Sequence, residues 1–234
     1  MKGENVVRTL ALTRDYGDGA QRVRALDSVD FTVDKGEFVS LAGPSGSGKS
    51  TLLNLIGGLD TPTSGEVWVG DDCLTAKSAA ELAHIRLHRI GFVFQAYNLL
   101  PVLSARENVE FVMQLQGVDA TERRERADRM LDAVGLAALA DRRPGDMSGG
   151  QQQRVAVARA LVTEPLLLLA DEPSANLDSE TTESLLGLLR AMNERFATTI
   201  ITATHDPIVM RYARRHIQLK DGRIVADDIG RPPV

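Results

Sequence analysis

The chain has 234 residues, 43% of them hydrophobic and 25% charged, with a formal net charge of −5. That balance suits a globular protein with a sizeable core, in one large domain or two small ones. It argues against a broad nucleic-acid surface, which needs a basic face to neutralise phosphates, so no nucleic-acid partner is expected. The single cysteine, Cys73, excludes an intrachain disulfide and a cysteine-rich metal site, and suggests a reducing, cytoplasmic setting. The opening MKGENVVRTL lacks the apolar core of a secretory signal. The densest apolar run, 166–170, is far short of the ~20 residues that span a bilayer, so membrane attachment would have to come from a partner.

Along the chain, Val29, Phe31 and Val33 alternate with Asp30 and Thr32, the period of a half-buried strand. Asp34-Lys35-Gly36 then turns the chain into Phe-Val-Ser-Leu-Ala at 38–42, a buried strand. Gly43-Pro44-Ser45-Gly46-Ser47-Gly48-Lys49-Ser50 follows at once and leads into a helix predicted over 51–56. This stretch fits G-x-x-x-x-G-K-[ST], the loop that cradles nucleotide phosphates. Its glycines let backbone N–H groups close around the β-phosphate, and the helix N-terminus adds a favourable dipole. Lys49 is expected to reach the β- and γ-phosphates, and Ser50 to ligate Mg²⁺.

The middle third reads as helical. Ser104 with Glu107 makes a capping box, and Gly117 a stop. A second helix is predicted over 121–134, ending near Gly135, with Glu122/Arg126 and Glu125/Arg129 on a solvated face. The last third alternates again: a strand at 166–170, a helix at 179–196 with Leu185, Leu186, Leu189 and Met192 on one face, and a β-branched strand at 199–204. A short helix and a hairpin around Asp221-Gly222 close the chain. Strands alternating with helices imply a mostly parallel α/β sheet, with the helical middle inserted. Strand 166–170 runs into Asp171-Glu172, delivering two carboxylates at the sheet edge where such folds bind ligands. Asp171 is the expected Mg²⁺ partner and Glu172 the general base for the attacking water.

Met147-Ser148-Gly149-Gly150-Gln151-Gln152-Gln153-Arg154 runs into another apolar helix. A serine and two glycines opening a helix make a second anion site. The stretch resembles the signature motif of ABC ATPases, and the resemblance extends from Tyr16 to the Asp221-Gly222 hairpin. It implies an α/β fold: a P-loop NTPase (RecA-like) core with a mostly parallel sheet, an N-terminal antiparallel β subdomain and an inserted α-helical subdomain. The expected division is one ABC ATPase domain over 1–234, with 1–95 and 163–234 as core and 96–162 as the helical part.

The resemblance also implies ATP and Mg²⁺ as ligands, ATP hydrolysis, and a head-to-tail homodimer. Residues Gly43, Pro44, Ser45, Gly46, Ser47, Gly48, Lys49, Ser50 and Thr51 would hold ATP, with Tyr16 stacking on adenine; the alternative for Tyr16 is an edge-strand tyrosine. Ser148, Gly149, Gly150 and Gln151 would cap the γ-phosphate held by the other copy. Gln95 looks like the glutamine that senses metal and water, His205 like the histidine that contacts the γ-phosphate and steadies Glu172. Ser174-Ala175-Asn176-Leu177-Asp178 is similar to the segment that crosses the dimer interface, giving Asn176 and Asp178 that role. Departures are Met147 in place of the usual leucine and Ser174 where many relatives have threonine.

Leu55-Ile56-Gly57-Gly58-Leu59-Asp60 and Asn98-Leu99-Leu100-Pro101 resemble the lipoprotein-release and macrolide-export ATPases, with cell-division ATPases nearby. That implies an integral membrane permease as partner, work on the cytoplasmic face of the inner membrane, and mechanical transmission or export. The segment 95–104, with Leu99 and Leu100, is the expected docking surface. A solute-importer ATPase and a soluble non-transport ABC protein are the alternatives. The importer often carries a regulatory domain after the histidine, and only residues 206–234 follow His205.

Overall fold

The computed structural model describes residues 4–230; the first three residues of the stretch read for a signal, and 231–234, lie outside them. The alternation at 29–33 lies in β2 (Val23–Asp34), which pairs antiparallel with a second long strand, β1 (Asn5–Tyr16). With β4 (Ser64–Val69) and β5 (Asp72–Cys73) they form a four-stranded antiparallel sheet in the order β2-β1-β4-β5. The second sheet has the order β10-β9-β3-β8-β7-β6. Its members are β3 (Phe38–Ala42), β6 (Ile90–Val93), β7 (Leu167–Asp171), β8 (Thr199–Thr204), β9 (Arg215–Lys220) and β10 (Arg223–Ile229). All its pairings are parallel except the terminal β9–β10 hairpin. Asp221 and Gly222, both at positive φ, turn that hairpin, as a two-residue connection requires.

Every residue of β3 and β8 is buried, because helices or the other sheet cover both faces of the parallel sheet. Alternate residues feed two cores. Val39, Leu41, Leu167, Leu169, Ile201 and Ala203 face α1 (Lys49–Ile56), α2 (Ala79–Arg89) and the antiparallel sheet. Phe38, Val93, Leu168, Ala170 and Ile200 face the other way. There they pack with α3 (Ala105–Leu115), α4 (Ala120–Ala133), α5 (Gly149–Leu161), α6 (Ser179–Phe196) and α7 (Pro207–Tyr212). The stretch 96–162 thus encloses α3, α4 and α5 but shares one continuous core with the sheet.

Local signals set the helix ends. Ser104 accepts from the Glu107 N–H (3.2 Å) while Glu107 accepts from the Ser104 N–H (2.7 Å). Asp119 caps α4, one residue earlier than the pattern predicts, and Gly135 follows it at φ 74°. Its i,i+4 pairs form at 3.4 and 3.7 Å on an exposed face, where such pairs contribute at most ~0.5 kcal/mol. Helix α2 is not foreseen by periodicity: Ile85 is its one fully buried residue, although Ser78 and Glu81 form a complete capping box. Among the described residues no helix is long and apolar enough to cross a membrane.

Candidate functional site

A buried strand must stop abruptly at β3 for a loop to wrap a phosphate, and the glycines permit it. Gly43 sits at φ 150°, where a Cβ would stand 2.2 Å from the Leu219 carbonyl oxygen. Gly48, at φ 105°, is the N-cap of α1, and a Cβ there would stand 2.6 Å from the Ala25 carbonyl oxygen. Both obstacles are backbone, so no side chain fits at either position. With no capping side chain at Gly48, the first N–H groups of α1 remain directed at the loop. They line a cavity of about 760 Å³ with Ala25, Pro44, Ser45, Gly46, Ser47, Lys49, Ser50, Thr51, Gln95, Glu172, Ala175 and His205. Lys49 Nζ folds back onto the carbonyls of Gly43 (2.8 Å) and Pro44 (3.0 Å), within the loop it would serve.

The carboxylates arrive from β7. Ser50 Oγ donates to Asp171 Oδ1 at 3.1 Å. Burial raises the Asp171 pKa, and neighbouring Glu172 pushes the same way, against the Ser50 hydrogen bond and Lys49. Glu172 stands at φ 46°, a strained left-handed position, with its N–H held by Ala203 O (2.9 Å) and its carbonyl by Ala175 N–H (3.2 Å). That turn swings its side chain out of the strand to meet His205, Nδ1 to Oε1 at 2.7 Å. A carboxylate only accepts, so the His205 tautomer in this pair carries its proton on Nδ1. Gln95 closes the cavity after β6, and Asn176 Nδ2 donates to its carbonyl at 3.2 Å.

The signature turn lies at the other end of the 174–178 segment. Ser148 caps α5, accepting from Gln151 N (3.3 Å), while Gln151 Oε1 accepts from Ser148 N (3.0 Å). Gly149 and Gly150 are small because of crowding: a Cβ would stand 2.7 Å from Tyr97 Oη at Gly149 and 2.5 Å from Thr181 Cγ2 at Gly150. Asp178 caps α6, accepting from Thr181 N (2.9 Å) and Thr181 Oγ1 (2.7 Å), bonds that lower its pKa.

The structure therefore gathers Pro44 to Thr51, Gln95, Glu172 and His205 around one cavity, with Asp171 tied in through Ser50. Tyr16 is not in the lining: the residue is 39% exposed, Arg14 lies 4.5 Å over one face of its ring, and its hydroxyl donates to Asp60 at 2.8 Å. Leu99 packs against the helical core, whereas Leu100 is exposed. With Leu59, Phe92, Phe94, Phe111 and Leu115, Leu100 lines an apolar groove of about 480 Å³. Sequence reasoning missed most of that groove, because its residues are scattered over α1's exit, β6 and α3 with no shared period. It also missed Ala25, and it placed Ala175 only in the 174–178 segment; both line the cavity without any chemistry-bearing side chain.

Strand, glycine loop, helix and a parallel strand one place beyond the neighbouring one, ending in carboxylates, define a P-loop nucleoside triphosphatase. Comparisons narrow the class. The family model "ABC transporter" matches residues 26–175. The chain is 45% identical over 221 residues to the ABC transporter ATP-binding protein YknY of Bacillus subtilis, covering 94% of this chain and 96% of that one. It is 47% identical over 216 residues to a macrolide export ATP-binding/permease protein MacB of Hyphomonas neptunium, covering 92% of this chain but 33% of that protein. Its fold matches the ATP-binding cassette MJ0796, solved as a post-hydrolysis dimer bound to ADP and Pi. That match has a TM-score of 0.89 at 43% identity, over 97% of this chain and 100% of that one. MJ0796 comes from Methanocaldococcus jannaschii. The chain belongs to the ABC transporter family, as an ATP-binding and ATP-hydrolysing component, and its relatives include the macrolide-export subgroup.

Proposed function

We propose that this chain is a motor that clamps two ATP molecules between two copies of itself and drives an integral membrane permease. The observation that carries the reading is that one chain opens two separate helices, α1 and α5, on glycine-bearing turns whose first N–H groups can bind an anion. The open loop before α1 shares a cavity with Glu172, whereas the turn that opens α5 does not line that cavity. A symmetric head-to-tail pair completes both sites identically. Ser148, Gly149, Gly150 and Gln151 of each copy then face the γ-phosphate on the other, with Asn176 and Asp178 at the crossing.

The residues fit a hard divalent cation: Ser50 Oγ and Asp171 Oδ1 are already neighbours, and Gln95 lines the same cavity. Mg²⁺ bound there would neutralise charge on the β- and γ-phosphates. Glu172 takes the proton from the attacking water, and His205 holds that carboxylate in place. Lys49 exchanges the carbonyls of Gly43 and Pro44 for phosphate oxygens. Tyr16, fixed by Arg14 and Asp60, offers its free ring face to adenine.

The apolar groove beside Leu100 is the proposed permease seat, since it exposes large apolar side chains next to the segment leaving Gln95. The macrolide-export relatives, named as ATP-binding/permease proteins, support export or mechanical transmission as the work done, and a position on the cytoplasmic face of the inner membrane. The test is Glu172→Gln. Loss of the base should cut hydrolysis by ~10²- to ~10⁴-fold while ATP converts the monomer to a stable dimer in size-exclusion chromatography. Hydrolysis at the unsubstituted rate would remove Glu172 from the role, and a monomer at saturating ATP would remove the dimer.

A further inference from the structure

Arg159 stands in the last turn of α5, half-buried, ten residues from the signature turn that opens the same helix. Burial lowers its pKa, and no acid offsets that effect. Its two amino groups instead donate to backbone carbonyls, to Asn98 at 2.6 Å and to Tyr97 at 3.0 Å. Those two residues are consecutive and both left-handed, at φ 51° and 55°. Side-chain-bearing residues keep that conformation only when their surroundings impose it, and a rigid guanidinium fork bonding both carbonyls does so. Upstream, the Gln95 carbonyl is held by Asn176. The Tyr97 hydroxyl reaches the other end of α5, against Gly149. The strap 95–98 is thus pinned to the crossing segment, to the signature turn and to the far end of the signature helix.

We propose that Arg159 is a positioning residue of the ATPase reaction. By gripping Tyr97 and Asn98 it fixes the turn that follows Gln95, and so keeps Gln95 in the nucleotide cavity in register with the signature turn. The proposal rests on the reading of Gln95 as a contact to the metal of ATP–Mg²⁺. A guanidinium that merely stabilised the fold would behave like Arg126, which donates to the Val162 carbonyl at 2.7 Å, away from the strap.

The experiment compares Arg159→Ala, Arg159→Lys and Arg126→Ala in the full chain. Melting temperature is read alongside the affinity for a fluorescent ATP analogue in EDTA and in Mg²⁺, and kcat and KM for ATP. Arg159→Ala is expected to bind nucleotide in EDTA within about twofold of the unsubstituted chain, because the loop before α1 is untouched. It is expected to lose most of the affinity gained on adding Mg²⁺, with KM for ATP rising to match, and to lower kcat by ~10- to ~100-fold. Arg159→Lys, which keeps the charge but not the fork, should fall between, and Arg126→Ala should keep the full Mg²⁺ gain. A folded Arg159→Ala with the unsubstituted Mg²⁺ gain and kcat overturns the proposal. If Arg159→Ala does not fold, Arg159→Lys decides: an unaltered Mg²⁺ gain in that variant overturns it equally. Absence of any Mg²⁺ gain in the unsubstituted chain would instead refute the reading of the site on which the proposal rests.

Discussion

Helix α1 begins behind Gly48, which has no side chain to cap it, whereas α5 begins behind Ser148, whose hydroxyl and N–H are both engaged with Gln151. The first helix end opens into a cavity that it shares with Glu172 and His205. The second satisfies part of itself and leaves the N–H groups of Gly149 and Gly150 for an outside acceptor. Both use glycine, for different reasons. In the loop before α1, Gly43 and Gly48 adopt φ values closed to other residues and stand against backbone that cannot yield. At α5 they are helical, and the atoms that crowd them belong to the side chains of Tyr97 and Thr181. One helix end is a finished half of a site that its own chain built; the other, in the proposed dimer, would be lent to the second copy.

The largest expected effects separate these two ends. Gly48→Ala forces a Cβ into the Ala25 carbonyl at a left-handed position, so it should lower the melting temperature by roughly 5–10 °C, the scale of ~2–3 kcal/mol, and abolish nucleotide binding. Gly150→Ala should leave ATP binding by the monomer intact but suppress dimer formation and hydrolysis. The companion change Thr181→Ser removes the obstructing methyl and should restore part of both. Loss of monomer binding in Gly150→Ala would show that the two ends are not independent. Calorimetric titration and size-exclusion chromatography read the two properties separately.

The same contrast explains what was legible in the sequence. The loop before α1, the carboxylates after β7 and the capping boxes are local: their chemistry lies within a few consecutive residues, so spacing reveals them. The helices with a strong apolar stripe, such as α6 with Leu185, Leu186, Leu189 and Met192, were legible for the same reason. Helix α2 was not, since a helix burying one residue fully carries almost no period. The reasons for Gly149 and Gly150, the Arg159 grip and the packing of Leu99 all depend on contacts between residues far apart in the chain. The placement of Tyr16 beside Arg14 and Asp60, 44 residues distant, is of that kind too.

A smaller effect belongs to the cavity alone. Burial raises the pKa of Asp171 above its ordinary 3.8. A carboxyl whose folded pKa is raised contributes stability only where it is protonated, and that contribution is lost as pH rises through the folded value. Above its ordinary pKa, Asp171 therefore costs the ligand-free fold stability. Asp171→Asn should raise the melting temperature of the ligand-free chain by a few degrees while removing the extra stabilisation that ATP with Mg²⁺ gives over ATP with EDTA. A lower melting temperature in the ligand-free variant would mean that the Ser50 hydrogen bond outweighs the burial.

The smallest effect reaches the loop from beneath. His216 on β9 is 3% exposed and pairs in register with Ser40 of β3, the strand that feeds the loop. Its Nδ1 lies 2.8 Å from Ser40 Oγ. Burial lowers its pKa below 6.5, against a weaker upward pull from Asp228. The folded chain therefore binds fewer protons than the unfolded chain between the lowered pKa and 6.5. In that window stability falls as pH falls, by at most ~1.4 kcal/mol per pH unit for this one proton. His216→Asn keeps a polar partner for Ser40 but cannot titrate. Its melting temperature should track that of the unsubstituted chain at pH 7.5 and decline less steeply between pH 6.5 and pH 5. Hydrogen exchange should place the difference in β3 and β9, under the loop, with α3, α4 and α5 unaffected. Equal slopes for the two proteins would mean that other groups dominate the acid response and that β3 does not weaken ahead of the helical side.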